Sequence, residues 1–262
     1  MSLSSSTPYS APRMVWKYVK YRLKAGNKHS VHPPTLFKFA EQVLQKASRI
    51  KYRSAESERR RLKSSKQILD FVDFGKSGVI LQKAVSDIAK RSLKSPKYAK
   101  LLCKIVAYTE AKHVLELGTS LGITTAYLAR NNETKVTTLE GDPSVVKIAE
   151  SVWNQLGHTN IKSIVGPFEK TLDEVIKEQY DIIYIDGNHR LDPTLRYFDQ
   201  LLQASHSKTL FIFDDIHYSE EMEKAWKCLQ ADDRVSSTID LFFIGIVYID
   251  PSLSKQNFML RF

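Results

Sequence analysis

Residues 114–122, which read VLELGTSLG, have the pattern of a strand that ends in a ligand-binding turn. The apolar start predicts a strand, Gly118 allows the chain to turn at its carboxyl end, and Gly122 allows the following helix to approach closely. Glu140 ends the next predicted strand, 22 residues after Gly118. An acidic side chain at that place accepts hydrogen bonds from the two hydroxyls of a ribose. The motif therefore predicts a nucleoside site in the crevice beyond this edge of the sheet.

The same turn is poorly suited to a dinucleotide. A G-x-G-x-x-G turn brings a pyrophosphate to the helix N-terminus, but Ser120 occupies the second glycine position here and Glu116 precedes the first. The Glu116 carboxylate would repel a pyrophosphate and would suit a cationic amino group. S-adenosylmethionine, which has both a ribose and an amino group, is therefore favoured over NAD, and a dinucleotide-binding domain is the second interpretation.

Acidic side chains also follow two later apolar runs. Asp186 begins the sequence DGNH, which ends at His189, and the pair Asp214 and Asp215 follows the next run. The ligands of such folds bind at the carboxyl ends of the strands, so these side chains are candidates for the chemical step. The alternative is that the pair caps the next helix and that His189 lies in a surface loop.

Strands and helices alternate from residue 113 onward, which predicts an α/β fold with a doubly wound, mostly parallel sheet. The expected strands, each followed by a helix, are 113–117, 135–140, 161–165, 181–185 and 209–213. No helix separates the last two expected strands, 238–249 and 257–262. We therefore expect a C-terminal antiparallel hairpin that completes a seven-stranded, Rossmann-like sheet.

The sequences ELGTSLGITT and TLEGDP resemble the first two cofactor motifs of class I methyltransferases, and the resemblance covers about residues 94–262. It implies that this domain binds S-adenosylmethionine. Glu116 would steady the methionine amino group, Thr124 would reach the methionine carboxylate and Glu140 would bind the ribose.

The resemblance also implies which residues form the rest of the cofactor pocket. The backbone of Gly118, Thr119 and Ser120 would line it, beside Gly122. The adenine would be bordered by Gly166, Pro167 and Phe168. The sequence departs from the family at Gly141, where many relatives have a large apolar residue, and Phe168 is the expected substitute.

Asp186 and the pair Asp214 and Asp215 resemble in position the metal ligands of one branch of the family. This metal-dependent branch is typified by catechol and caffeoyl-CoA O-methyltransferases. This resemblance implies that the three aspartates bind a divalent ion, Mg²⁺, Mn²⁺ or Ca²⁺. Such an ion lowers the pKa of a bound hydroxyl, and a phenol is mostly protonated at neutral pH. Asp215 stands where the family has Asn and adds a negative charge to the site. The alternative is that these aspartates bind no metal.

His189 stands where relatives have a Lys that acts as the base, and a histidine is suited to take that proton. The resemblance therefore implies His189 and Asp186 as catalytic residues, and Asp186 also as part of the cofactor pocket.

Positive charge is concentrated at the start of the chain. The formal net charge is +10, and residues 1–66 hold 16 Lys and Arg against three Glu, a net of +13 that leaves −3 for the other residues. We expect a disordered tail over 1–13, a basic helical extension over 14–93 and the methyltransferase domain over 94–262. The extension is either a solvated helical segment or a docking site for an acidic partner such as RNA, an anionic membrane or an acidic protein.

The longest apolar run, residues 241–249, is too short to cross a bilayer, and no signal peptide is recognisable, so we expect a cytoplasmic protein without a transmembrane segment. The expected activity is methyl transfer to an oxygen of a small, catechol-like acceptor. The alternatives are an RNA or protein methyltransferase that docks through the basic segment, and a cofactor-binding module without turnover. A homodimer is compatible with the sequence.

Overall fold

The computed structural model of the chain describes residues 7–73 and 79–262. The α-helices are α1 (Ala11–Lys24), α2 (Pro34–Phe39), α3 (Arg53–Lys63), α4 (Val85–Ser92), α5 (Pro96–Thr109), α6 (Ile123–Leu128), α7 (Pro143–Leu156), α8 (Phe168–Val175), α9 (Leu191–Leu201) and α10 (Glu220–Ala231). The strands are β1 (Ile68–Asp73), β2 (Val79–Ala84), β3 (His113–Leu117), β4 (Lys135–Glu140), β5 (Ile161–Val165), β6 (Tyr180–Ile185), β7 (Ser205–Asp214), β8 (Ser237–Asp240), β9 (Ile244–Tyr248) and β10 (Gln256–Met259).

The chain divides into two compact units, which do not follow the expected boundary between residues 93 and 94. The terminal unit consists of Met1–Glu41 and Glu178–Phe262, and the central unit consists of Gln42–Lys177. The predicted disordered tail, 1–13, lies outside the described residues up to residue 6, and α1 begins at Ala11. In the parts of the chain that the structure describes, no helix has the length and apolarity needed to span a membrane.

The central unit contains three parallel strands in the order β3-β4-β5. Four of the five β3 residues are buried, as expected for a short apolar strand with both faces covered. The strands end at Leu117, Glu140 and Val165, so the predicted turn after β3 and the acidic residue of β4 share one edge.

The predicted helical extension also contains a pair of strands. β1 and β2 pair in antiparallel fashion, from Ile68 opposite Ala84 to Asp73 opposite Val79. Helices α1, α2 and α3 precede this pair of strands in the chain, and α4 follows it. The β-branched and aromatic residues of these two segments favour strands, and this local preference outweighs the basic, helix-like composition around them.

The terminal unit contains five strands in the order β10-β8-β9-β7-β6. β6 and β7 are parallel, whereas β9 is antiparallel to both β7 and β8. The described strands of the two units are therefore mostly parallel with a C-terminal antiparallel pair, which confirms the predicted fold class.

The antiparallel pair lies earlier in the chain than expected. The predicted strand 238–249 is interrupted at Phe242, which has a φ of 72° and donates its N–H to Asp240 Oδ1 at 2.8 Å. β8 and β9 are the two arms of this turn, and β10 then pairs in parallel with β8. Apart from the β1-β2 pair, the described residues thus contain eight strands, three in the central unit and five in the terminal unit, instead of the seven expected.

The close approach expected at Gly122 is present and can be measured. A Cβ atom on Gly122 would lie 2.6 Å from Trp153 Nε1 and 2.8 Å from Ala149 Cβ, and φ is 76°.

We expect Gly122→Ala to lower the free energy of unfolding, measured in urea, by about 2–4 kcal/mol, because left-handed strain and a clash combine. Gly157→Ala is the matched control, since its φ is 75° and nothing lies within 4 Å of its Cβ position. It should cost only about 1–2 kcal/mol, and an equal loss for both variants would contradict the close approach.

Candidate functional site

The turn after β3 has an unusual backbone that is fastened to β4. The φ values of Gly118 and Ser120 are 101° and 48°. The N–H groups of Gly118 and Thr119 both donate to Leu139 O, at 2.9 and 3.3 Å. A non-glycine residue in the left-handed region, as at Ser120, costs about 1–3 kcal/mol and is frequent at binding sites. The predicted ligand-binding turn is therefore a specific, constrained structure.

Glu140 lies against this turn. Its Oε2 accepts the N–H of Ser120 at 2.9 Å, and its Oε1 accepts the N–H of Asp142 at 3.2 Å. Burial raises the pKa of Glu140, and the backbone N–H groups of Ser120, Asp142 and Gly141 act in the opposite direction. The structure thus brings together the two features on which the nucleoside prediction depends.

A cavity of about 410 Å³ opens beside Glu140 and Ser120, which is within the usual range for small-ligand pockets. Its other walls include Asp87, Arg91 and Ser92 of α4, and Ser92 Oγ lies 3.0 Å from Ser120 Oγ. These α4 residues are not predictable from the sequence because no motif marks them. They form part of the site only because the chain before β3 folds back onto the turn.

Glu116 is completely buried below the turn. Its Oε2 accepts hydrogen bonds from the hydroxyls of Thr125, at 2.5 Å, and Thr138, at 2.7 Å. Since the Thr138 hydrogen points to Glu116, the Thr119 hydroxyl donates to Thr138, at 2.6 Å. These contacts join β3, β4 and α6, whereas the contact of Glu116 with a methionine amino group stays a prediction. Thr124 is 7% exposed. Its contact with the methionine carboxylate also stays a prediction.

The segment expected to border an adenine lies next to the ribose candidate. The Gly166 N–H donates to Glu140 O at 2.9 Å, and the φ of Gly166 is 149°. Pro167 precedes the first residue of α8, Phe168, which is half-buried. Gly141 follows Glu140 directly. Gly141 and Gly166 therefore lie close together, at the ends of β4 and β5.

The terminal unit holds the second group of candidate residues. Because Ile185 of β6 is opposite Phe213 of β7, the residues that follow them, Asp186 and Asp214, lie side by side. One ligand atom from each of these residues and from His189 lies within 4.8 Å of the others. Such a set of two carboxylates and an imidazole is able to bind a divalent cation.

The surroundings hold this acidic cluster (Asp186, His189 and Asp214) in place. The Tyr184 hydroxyl donates to Asp186 Oδ2 at 2.9 Å, and His189 Nε2 lies 3.6 Å from Asp186 Oδ1. Asp214 is only 1% exposed. The Tyr218 ring lies 5.7 Å from the His189 ring, and burial together with the charge of Asp215 raises the pKa of Tyr218.

Asp215 differs from the other predicted ligands. Among the residues that the structure describes, the clustered ligand atoms come from Asp186, His189 and Asp214, and Asp215 contributes none. Its φ is 53°, and its N–H donates to Phe243 O at 2.7 Å. The structure therefore groups two of the three predicted aspartates and adds His189, the predicted base, to them.

The constrained turn, the acidic residue at the end of β4 and the mostly parallel strands together have the arrangement of a Rossmann-like fold. Residues 115–216 match the methyltransferase domain family. A catechol O-methyltransferase from Niastella koreensis is 30% identical over 47% of this chain and 57% of its own length. One from Mycobacterium tuberculosis is 27% identical over 51% of this chain and 62% of its own length. The chain thus matches about three fifths of the length of these relatives.

The fold has counterparts among solved structures. An O-methyltransferase from Bacillus cereus, determined in complex with SAH, covers 76% of this chain and 92% of its own, with a TM-score of 0.58 and 21% identity. The family match and these relatives confirm the predicted resemblance to class I methyltransferases of the catechol and caffeoyl-CoA O-methyltransferase type.

Proposed function

We propose that this protein is an S-adenosylmethionine-dependent O-methyltransferase that acts on a small hydroxyl-bearing acceptor of the catechol class. The main support for the proposal is the position of Glu140. Its carboxylate accepts a hydrogen bond from the Ser120 N–H of the turn and lines a cavity of about 410 Å³. The family match and the catechol O-methyltransferase relatives support the same activity.

In this proposal the central unit binds the cofactor. Glu140 accepts hydrogen bonds from the ribose hydroxyls, and charge-assisted bonds of this kind contribute about 1.5–3 kcal/mol each. The backbone from Gly118 to Ser120 lines the pocket, and Phe168 packs against the adenine. Thr124 takes the methionine carboxylate, while Glu116 supports the turn from below and attracts the cationic amino group.

We assign the acidic cluster of the terminal unit to a divalent metal ion. A bound cation lowers the pKa of an acceptor hydroxyl and thereby makes its oxygen nucleophilic. Two carboxylates with one imidazole suit Mn²⁺ better than Ca²⁺, which prefers oxygen ligands alone. Tyr184 orients Asp186 through its hydroxyl. Since a ring nitrogen that binds metal does not accept a proton, His189 serves here as a ligand in place of its predicted role as base.

The activity is tested by following labelled methyl groups from S-adenosylmethionine. The full chain is incubated with Mn²⁺ or Mg²⁺ and with catechols, total RNA or protein extract as acceptors. We expect labelled methyl ethers of catechols, and a rate that falls at least about tenfold when a chelator removes the metal. Transfer to RNA or protein instead of catechols contradicts the acceptor class. Binding of the cofactor without transfer to any acceptor indicates a binding module.

A further inference from the structure

Helix α1 has two apolar faces, and only one of them is packed. On the inner face, Tyr18 and Tyr21 contact Phe242, with ring centroids 5.0 and 5.2 Å apart, and Met14 joins the same group. Tyr21 and Phe242 are 4% and 1% exposed. This face supplies the burial that holds α1 in the terminal unit.

Polar contacts fix the orientation of α1. Lys17 Nζ lies 2.8 and 2.9 Å from the two carboxylate oxygens of Glu223, and the Tyr9 hydroxyl donates to Glu223 Oε2 at 3.0 Å. Arg13 forms an exposed ion pair with Glu220 at 2.8 Å. Because these contacts all lie on one side of the helix, they determine which residues face outward.

The outer face of α1 is a stripe of large apolar side chains. Val15, Trp16, Val19 and Leu23 are 62%, 56%, 50% and 76% exposed. Their spacing places them on one side of a helix with 3.6 residues per turn. Four of the seven exposed large hydrophobic residues in the described parts of the chain belong to this single helix. Isolated exposed apolar residues are normal, but a contiguous patch marks an interaction surface.

Basic residues border the apolar stripe on both sides. Arg22 lies on one side by helical spacing and Lys20 on the other, and Lys24 follows Lys20 one turn later. Lys20 Nζ sits 3.5 Å from the centroid of the Trp16 ring. Helix α1 contains no acidic residue, and no acidic side chain of the described residues forms an ion pair with Lys20, Arg22 or Lys24.

We propose that the outer face of α1 docks on an anionic phospholipid membrane surface. An apolar stripe that includes a Trp and is bordered by Lys and Arg is the pattern of a helix that lies in the membrane interface. The aliphatic side chains enter the region between headgroups and acyl chains, and the basic side chains reach outward to the phosphates. With 14 residues, α1 is too short to cross a bilayer and lies in its surface.

Two other occupants fit this face less well. A second copy of the chain would place Lys20, Arg22 and Lys24 near their own counterparts, and such like-charge contacts disfavour association. RNA would need aromatic faces for stacking and many cations for phosphates. Here Lys20 covers one face of Trp16, and aliphatic side chains occupy most of the stripe.

The proposal is tested by sedimentation of the full chain with vesicles. Vesicles that mix phosphatidylcholine with phosphatidylglycerol should bind the protein, and vesicles of phosphatidylcholine alone should bind it far more weakly. A variant with Lys20, Arg22 and Lys24 all replaced by Gln should bind about a hundredfold more weakly, since each basic residue near an anionic surface is worth about fivefold. Equal binding to both vesicle types would refute the electrostatic part of the proposal.

The apolar stripe is tested by replacing Val15, Val19 and Leu23 together with Ser, which should also lower the partition coefficient by about a hundredfold or more. Ile68→Ser is the matched control, because Ile68 is a large apolar residue of the central unit that is 57% exposed. It should bind vesicles like the unmodified chain. The thermal midpoint of the triple variant should be unchanged because the replaced side chains are exposed.

Tryptophan fluorescence reports on α1 directly. The chain has three Trp residues, and Trp153 and Trp226 are only 4% and 3% exposed. Anionic vesicles should therefore shift the emission to shorter wavelength through Trp16, and Trp16→Phe should abolish the shift. Vesicle binding without this shift, binding to RNA but not to vesicles, or a dimer in solution that the Ser triple variant dissociates would each overturn the proposal.

Discussion

Glu140→Ala is expected to lower the affinity for S-adenosylmethionine and for its demethylated product by about a hundredfold to ten-thousandfold. The loss corresponds to two charge-assisted bonds from ribose hydroxyls, at about 1.5–3 kcal/mol each. The effect is large because Glu140 is already positioned by the Ser120 and Asp142 N–H groups, so little ordering is needed when the ligand binds. Isothermal titration calorimetry with the demethylated product measures the affinity without turnover.

Two controls separate ribose binding from folding. Glu174→Ala removes an exposed acid of α8 in the same unit and should leave the affinity unchanged. Circular dichroism and the thermal midpoint show whether Glu140→Ala is folded, since this variant also leaves the Ser120 N–H without its carboxylate acceptor. A folded Glu140→Ala variant that keeps its affinity within about threefold would mean that Glu140 does not bind the ribose.

The second large effect is expected at the acidic cluster. Asp214→Asn keeps the shape of the side chain and removes its charge, and it should weaken Mn²⁺ binding by more than about a hundredfold. Mutation of a residue that only hydrogen-bonds to a metal ligand lowers the metal affinity about 10- to 100-fold. Loss of the charge of a ligand itself should therefore have a larger effect. Calorimetric titration of the full chain with Mn²⁺ measures the effect.

Asp215→Asn is the matched control for Asp214→Asn because it makes the same change in the adjacent residue. The structure favours a small effect for Asp215→Asn, since the Asp215 carboxylate lies outside the cluster. The resemblance to the metal-dependent branch instead implies that both variants lose the metal. Equal losses therefore support the ligand set implied by the resemblance, and a loss confined to Asp214→Asn supports the set with His189.

The residues of the turn were predictable because they depend on local geometry. Gly118 and Gly122 satisfy backbone requirements within a few residues. The position of Glu140 is set by the length of one strand-helix-strand unit. Asp186 and Asp214 were predictable as neighbours for a similar reason, since adjacent parallel strands end at the same edge.

Other features depend on tertiary contacts that leave no local signal. The turn at Phe242 lacks the Gly, Asn or Pro that usually marks such a position. It forms because Phe242 is buried against α1 and because Asp240 accepts its N–H. The cavity wall formed by Arg91 and Ser92 was also missed, since it arises when α4 folds back toward Ser120.

The way in which the terminal unit is assembled has a consequence for biosynthesis. Its two stretches, Met1–Glu41 and Glu178–Phe262, are separated by the whole central unit. Tyr21 of α1 donates to Leu260 O across 239 positions of sequence. On the ribosome, α1 therefore emerges long before its partner residues, and the Tyr18 and Tyr21 rings stay uncovered until Phe242 leaves the exit tunnel. The central unit has all of its own segments available by residue 177, so we expect it to fold first and nascent α1 to be a segment that chaperones recognise.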